Sequence, residues 1–152
     1  MFVQHSVHIE HPVSVVSEAL KGGPRRWFPA NDKNISTVGI HVAGVPVRKK
    51  VVVELGEPVS ATTWTVIPIN WRATFPQQLF PAMNGKIEVA PTDAHITRLT
   101  VSGMYEPPLG KLGHQLDDVV MHNVAEATVR GLAETIAGRL EEAISPPKAP
   151  RK

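Results

Sequence analysis

Three histidines near the start of the chain have a spacing that could support metal chemistry. His5, His8 and His11 are three residues apart, and on a helix this spacing would bring them to one side. However, apolar and polar residues alternate over Phe2–Glu10, which is the pattern of a half-buried strand. On a strand His5 and His8 point to opposite faces, so we expect no metal site. His5 shares its face with apolar residues and is expected to be either a core or rim side chain or a base facing a pocket.

Two further residues could donate or accept a proton. Tyr105 is the only tyrosine, and its hydroxyl could donate to a carbonyl-bearing ligand or to a backbone carbonyl. His122 lies on the helix side that we expect to face the sheet, where an imidazole can be a general acid or base or can pack in the core or rim. Asp117 and Asp118 are expected to cap a helix, because adjacent helical side chains diverge. The candidate catalytic residues are therefore His5, Tyr105 and His122.

The composition is that of one globular domain. The chain has 152 residues, of which 42% are apolar and 20% charged, so it can bury a substantial core. It has no cysteine, which excludes disulfides and thiolate metal sites and fits a reducing cytoplasm. No apolar run reaches the roughly 20 residues of a membrane span, and no signal peptide is recognisable. We expect a cytoplasmic location, and the absence of nucleotide-binding and metalloprotease patterns predicts no cofactor.

The basic charge is concentrated at the C-terminus. The formal net charge is +2 with an isoelectric point near 9.1, but much of the excess lies in residues 146–152, which are rich in proline, lysine and arginine. We expect this tail to be disordered and residues 1–145 to form the single domain. Without the tail the chain is slightly acidic, so a nucleic-acid partner is not expected.

Local patterns predict a strand, two short helices, a series of strands and a long helix. Pro12 suits the start of the first helix and Gly22-Gly23 its end, while Trp27 and Phe28 are expected to anchor a single helical turn on the core. The segment after Pro68 either continues the preceding strand past a break or forms a separate one. The predicted strands, about seven in number, are residues 2–10, 36–43, 47–55, 60–67, 70–75, 85–90 and 95–105.

The helical pattern from Leu109 to Ile144 has two apolar faces on roughly opposite sides. Either a first helix ends near Leu116 and Asp117 or Asp118 caps a second, or one curved helix packs its first turns on something other than the sheet. The second face should contact the sheet, and it consists of Ala125, Val129, Leu132, Ile136, Leu140 and Ala143. The first could contact the loop at 77–83, the Trp27-Phe28 turn or a second copy of the chain, and we expect a possible homodimer through three of its residues: Leu112, Leu116 and Val119.

Gly131 and Gly138 lie seven residues apart in the predicted long helix. Each costs about 1 kcal/mol relative to alanine in a helix interior. We expect them either to permit close packing against the sheet or a partner, or to leave room for a ligand beneath the helix.

With these elements placed, the chain resembles the START-like, or SRPBCC, superfamily, which includes Bet v 1-type proteins and polyketide aromatase/cyclases. The resemblance rests on the element order and on two segments, VHIEHPVSVV at 7–16 and SGMYEPPLGKLG at 102–113. It implies an α+β helix-grip fold, in which a curved seven-stranded antiparallel sheet surrounds the C-terminal helix. It also implies an apolar cavity, in which many members bind lipids, sterols or polyketides and a minority are enzymes.

Three functions remain open at this point. The first is a small cytoplasmic protein that binds an apolar, lipid- or polyketide-like molecule. The second is an aromatase/cyclase-like enzyme that catalyses an aldol condensation or dehydration. The third is a protein–protein interaction module without a ligand. For the first two we expect ligand contacts from the following side chains: Trp64, Trp71, Phe75, Met104, Tyr105 and His122.

Overall fold

The computed structural model describes residues 2–29, 35–42, 45–61, 63–73, 82–106 and 118–144. Within these ranges the chain forms seven strands and three helices in the predicted order. The elements are β1 Phe2–Ile9, α1 Val13–Lys21, α2 Pro24–Trp27, β2 Ile35–Val42, β3 Val45–Leu55, β4 Val59–Ala61, β5 Trp64–Ala73, β6 Ala82–Pro91, β7 Thr97–Glu106 and α3 Asp118–Ile144.

All the strands belong to one curved antiparallel sheet. Its order is β1-β7-β6-β5-β3-β2, and the short β4 pairs with β5 beside β3. The strands that α3 approaches most closely are β1 and β7 at one end of this order and β2 at the other end. The strands at the two ends of the sheet therefore pack against the helix. The middle strands β6, β5 and β3 lie farther from the helix axis. This arrangement confirms the predicted α+β helix-grip architecture, including the two short helices after β1.

Cross-strand pairing places the residues of the inner face, which is the face toward α3, in rows that run across the sheet. Residues directly opposite each other on neighbouring strands share a face. The Tyr105 row consists of Val53, Trp71, Met83 and Tyr105. The glycine row consists of Ile69, Gly85, Gly103 and Val3. The His5 row consists of Ile67, Ile87, Val101 and His5.

The glycine row allows β6 and β7 to approach each other closely. A Cβ atom at Gly85 would lie 2.0 Å from the Ser102 backbone oxygen, and one at Gly103 would lie 2.8 Å from the Met83 Sδ atom. Neither position can accept a side chain without movement of its neighbours. Met83, a member of the Tyr105 row, uses the space over Gly103, so its thioether lies on the inner face over the glycine row.

The predicted break at Pro68 is wrong, because β5 continues without interruption from Trp64 to Ala73. Pro68 lacks the N–H group that a central strand normally donates to its neighbour. It lies between the stretch of β5 that pairs with β3 and the stretch that pairs with β4. There the neighbouring chain turns at Gly56, whose N–H donates to the Pro68 carbonyl oxygen at 2.8 Å. Pro68 therefore lies where the hydrogen bonding of β5 changes from β4 to β3, and no strand on that side needs its N–H group.

The long helix α3 is continuous from Asp118 to Ile144. Its buried side is the second predicted face, with Ala125, Val129, Ile136 and Leu140 fully buried. Ala143, which we placed on this face, is exposed. The structure shows one helix from Asp118 onward. Residues 107–117 lie outside the described part of the chain, so the choice between two helices and one curved helix over Leu109–Ile144 stays open.

Gly131 and Gly138 occupy the opposite, solvent-facing side of α3. Both are exposed, and a Cβ at either position would meet nothing within 4 Å. Close packing against the sheet and space for a ligand beneath the helix are therefore wrong, whereas packing against a partner stays a prediction. The two glycines lower the stability of the helix without a packing reason among the described residues.

The small helices form as predicted and close one side of the core. Pro12 precedes α1, and Gly23 after it has a φ of 105°, which favours glycine. Trp27 is 1% exposed and donates from Nε1 to the Leu20 carbonyl oxygen at 3.1 Å, while its ring meets the Phe28 ring edge-on. These contacts confirm the predicted anchor on the core.

Several predictions fall outside the described residues. They concern the tail at 146–152, Phe75 and the dimer residues Leu112 and Leu116; Val119 lies in α3, but the structure does not describe its side chain. The homodimer and the disordered tail therefore stay predictions. No helix in the described ranges is both long enough and apolar enough to cross a membrane.

Candidate functional site

The structure brings two of the three candidate catalytic residues together. Tyr105 lies on the inner face of β7 and is 1% exposed. Its hydroxyl is 3.1 Å from Nδ1 of His122, which projects from the first turns of α3. The rings lie with centroids 6.0 Å apart and an angle of 49° between their planes. The pair therefore joins the last strand to the long helix by a hydrogen bond between two groups that can exchange a proton.

Glu126 extends this pair along the helix. Its Oε2 atom is 3.9 Å from Nε2 of His122, one turn away. This distance exceeds that of a direct hydrogen bond, so the carboxylate acts on the ring through its charge. A negative charge beside Nε2 favours the tautomer with its proton there, which leaves Nδ1 to accept from the Tyr105 hydroxyl. Glu126 is also four residues from Arg130, but the described structure places its carboxylate beside His122.

Exposure increases step by step from Tyr105 to Glu126. Tyr105 is 1% exposed, whereas the side chains of His122 and Glu126 are 38% and 46% exposed. The three groups therefore connect the buried inner face of the sheet with solvent. We refer to them as the Tyr105–His122–Glu126 chain.

Trp71 presents an unusual polar group on the same inner face. It is 4% exposed, and its Nε1 atom is the one buried side-chain nitrogen or oxygen for which the described structure shows no hydrogen-bond partner. A buried donor left without a partner costs about 1–3 kcal/mol. Such a group calls for an explanation, and a bound molecule with an acceptor is one. Trp71 lies in the Tyr105 row, with only Met83 between them.

His5 lies apart from this site, although it also faces α3. Its Nε2 atom is 4.0 Å from Oε1 of Glu134. Its row is displaced from the Tyr105 row by four residues along β7, from Val101 to Tyr105, which corresponds to about 13 Å. The structure therefore separates His5 from Tyr105 and His122.

Two of the predicted ligand contacts lie on the outer face of the sheet, turned away from α3. Met104 is 54% exposed, and its partner across the sheet, Phe2, is 55% exposed. Trp64 is 37% exposed and lies on the face of β5 opposite to Trp71. Neither side chain can contact a molecule held between α3 and the sheet. Phe75 lies outside the described residues.

The outer face also carries two open grooves. One of about 330 Å³ lies beside Gly56 and Pro68 at the β3–β4 turn. The other, of about 310 Å³, crosses β1, β7 and β6. Four of the polar side chains that line the second groove are paired with each other, since Lys86 meets Glu88 at 3.3 Å and the Ser6 and Thr100 hydroxyls are 2.8 Å apart. Neither groove has a buried, unpartnered polar group like that of Trp71.

Sequence reasoning missed Glu126 and Met83 as members of the site. The spacing of His122 and Glu126, four residues apart in a helix, was a signal that could have found the first. Met83 enters the site through its register between Trp71 and Tyr105 and the absence of a side chain at Gly103. No local sequence pattern carries that information.

Comparison with solved structures shows the same fold in proteins of very different sequence. A conserved protein from Geobacillus kaustophilus has a TM-score of 0.54 and 15% identity over 95% of both chains. A protein from Thermus thermophilus has a TM-score of 0.52 and 16% identity over 94% of this chain and 99% of its own. Norcoclaurine synthase from Thalictrum flavum, solved with dopamine and hydroxybenzaldehyde, has a TM-score of 0.50 and 13% identity over 99% of this chain and 89% of its own.

No protein-family profile and no curated protein sequence matches the chain. At such low identity the structural neighbours show the fold alone. That shared fold is a curved antiparallel sheet around a long C-terminal helix, as in the helix-grip fold.

Proposed function

We propose that this chain with a START-like fold is a cytoplasmic protein that binds an apolar small molecule between α3 and the middle strands of the sheet. The molecule is lipid- or polyketide-like and carries at least one hydrogen-bond acceptor. The observation that carries this proposal is the buried Trp71 N–H group, which lacks a partner in the described structure. A carbonyl or hydroxyl oxygen of the ligand would satisfy it.

The surroundings of Trp71 fit such a ligand. It lies on β5, one of the middle strands, whereas α3 makes its closest approach to the strands at the two ends of the sheet. The neighbouring inner-face side chains Val53, Ile69 and Met83 are apolar and buried. Ligand sites are typically apolar surfaces with a few placed polar groups, and here these groups are the Trp71 N–H and the Tyr105–His122 pair. One protein of the same fold, norcoclaurine synthase, was solved with small aromatic molecules.

The test is a ligand screen with matched pairs of compounds. Fatty acids, aryl ketones and aromatic polyketides are added to the protein, each beside the analogue that lacks the oxygen, and the melting temperature and tryptophan fluorescence are recorded. Binding at 100 times the dissociation constant stabilises the folded state by about 2.7 kcal/mol. We expect at least one oxygenated compound to raise the melting temperature more than its analogue does.

Two tryptophan variants locate the site. Trp71→Phe removes the N–H group and keeps an aromatic ring, so it should lose the preference for the oxygenated compound. Trp64→Phe changes the outer face and should keep that preference and the fluorescence response. If no compound raises the melting temperature, or if both variants lose the preference equally, the proposal is wrong.

A further inference from the structure

We propose that the Tyr105–His122–Glu126 chain is a proton relay, and that the protein catalyses proton transfer at the α-carbon of an enolisable carbonyl compound. This rests on the proposed function, because the compound must be held on the inner face beside Trp71. It extends that function from binding to catalysis and assigns the reacting atom to the Tyr105 hydroxyl.

The geometry supplies the parts of a relay in order. The Tyr105 oxygen lies on the buried inner face, 3.1 Å from an imidazole nitrogen that can accept its proton. The other imidazole nitrogen faces a carboxylate at 3.9 Å, which stabilises the imidazolium that forms. His122 and Glu126 are partly exposed, so the proton can exchange with water outside the site.

The transfer is balanced without any additional reagent. The α-proton of the carbonyl compound moves to the Tyr105 oxygen while the Tyr105 proton moves to Nδ1 of His122. The electron pair of the C–H bond becomes the C=C bond of the enolate, and the negative charge rests on the former carbonyl oxygen. If the protons held by Tyr105 and His122 exchange with water before both transfers reverse, a solvent proton returns to the α-carbon, so the net reaction is a hydrogen exchange that consumes nothing.

The arrangement also indicates the class of compound. Trp71 and Tyr105 are two strands apart in one row, which places their backbones about 10 Å apart. The surface between them is the thioether of Met83, which suits an apolar or aromatic molecule. A neutral phenol–imidazole pair is a weak base, so the α-hydrogen must be acidified by a second carbonyl or an aryl group. Aryl 1,3-diketones have all these properties.

The experiment measures the exchange of the α-hydrogens of aryl 1,3-diketones, with benzoylacetone as the first member, in deuterated buffer by proton NMR. Each compound is used at saturation, as determined separately from the Trp71-dependent fluorescence change. We expect the protein to accelerate exchange above the rate in buffer. Positioned acid–base groups contribute about 100-fold or more, so Tyr105→Phe and His122→Asn should lose most of the acceleration.

Glu126 is a positioning residue, since it acts through His122. Glu126→Gln should lower the exchange rate at saturation about 3–10-fold, within the range of a single charge effect, and leave the dissociation constant unchanged. If Glu126 had only a structural role, its replacement would not lower the exchange rate at saturation while leaving the dissociation constant unchanged. The matched control is His5→Gln, which disrupts the other histidine–glutamate pair and should leave the exchange rate unchanged.

The outcomes separate this proposal from the function on which it rests. If a diketone binds in a Trp71-dependent way but its exchange is not accelerated, or if Tyr105→Phe exchanges as fast as the wild type, the relay is wrong and the binding function stands. If no member of the series binds, the relay is wrong for the class named here. If the oxygenated compounds of the wider screen also fail to bind, the binding function is wrong as well.

Discussion

Two histidine–glutamate pairs involve α3: His122–Glu126 lies within the helix, and His5–Glu134 joins β1 to it. They differ in what lies beneath the histidine. His122 and Glu126 are 3.9 Å apart, and the His122 ring also bonds to the buried Tyr105 hydroxyl. His5 and Glu134 are 4.0 Å apart, and in the described structure the His5 ring has no other polar partner. Glu134 is 61% exposed at its side chain and Glu126 is 46% exposed. The distance between imidazole and carboxylate therefore does not distinguish the pairs, whereas the hydrogen bond between His122 and the buried Tyr105 hydroxyl does.

The difference follows from the rows of the sheet. The Tyr105 row ends at a phenol, so the histidine above it comes from the helix and the hydroxyl stays buried. The His5 row ends at the histidine itself, on the strand β1 at the edge of the sheet. Below His5 the row continues with Val101 and Ile87, which have no polar side-chain atoms. One pair can therefore exchange protons with the interior, and the other is a surface contact.

The largest expected effect is on stability. Tyr105→Ala removes a fully buried aromatic ring and should lower the free energy of unfolding by about 3–5 kcal/mol. His5→Ala removes a partly exposed side chain with one long ion pair and should lower it by less than about 1 kcal/mol. Urea denaturation of both variants measures the difference. If both variants lost the same free energy of unfolding, the Tyr105 and His5 positions would contribute equally to stability, which would contradict the comparison.

The next effect concerns α3, which supplies the glutamate of both pairs. Gly131 lies between Glu126 and Glu134, and a Cβ there meets nothing within 4 Å. Gly131→Ala should therefore raise the free energy of unfolding by about 0.5–1 kcal/mol. This corresponds to a melting temperature about 1–4 °C higher for a chain of this size.

The same replacement at Gly138 is a second measurement of this effect, since that position is equally open. Gly131→Ala should add the same free energy of unfolding to every variant. The difference in free energy of unfolding between Tyr105→Ala and His5→Ala should therefore be the same with and without Gly131→Ala. A loss of stability in either glycine variant would mean that these positions have contacts that the described structure does not show.

The smallest effect on stability, and the sharpest test of the comparison, comes from the carboxylates. Glu126→Gln and Glu134→Gln should each change the free energy of unfolding by less than about 0.5 kcal/mol, because both pairs are exposed. The nitrogen NMR shifts of the imidazoles should differ more. In the wild type the His122 proton should lie on Nε2, and Glu126→Gln should reduce that preference. A His122 ring that carries its proton mainly on Nδ1 in the neutral wild type would contradict the comparison.

Much of the fold could be predicted because it depends on local patterns. The alternation over Phe2–Glu10, the proline before α1 and the glycines after it all specify short-range geometry. Pro68 misled the prediction because its effect depends on the neighbouring strand. A proline interrupts a ladder only where a partner needs its N–H, and here the partner turns away at Gly56.

The continuity of β5 also bears on the predicted site, which included both Trp64 and Trp71. With a break at Pro68, Trp64 and Trp71 could both face the ligand. In the continuous strand β5 they lie seven residues apart, and an odd spacing places them on opposite faces. Tyr105 and His122 could be named from their chemistry, but their contact depends on how α3 returns over β7. That contact is tertiary, and no periodicity in the sequence encodes it.

The pairing of β1 with β7 has a consequence for the way the chain folds during synthesis. Ser6 and Thr100 are hydrogen-bonded across these strands although 94 residues separate them. At a translation rate of about 5–20 residues per second, β1 leaves the ribosome about 5–20 s before its partner strand. The apolar residues Val3, Val7 and Ile9 are therefore without their native neighbours for that time, and a chaperone that shields this segment would be expected to increase the yield of folded protein.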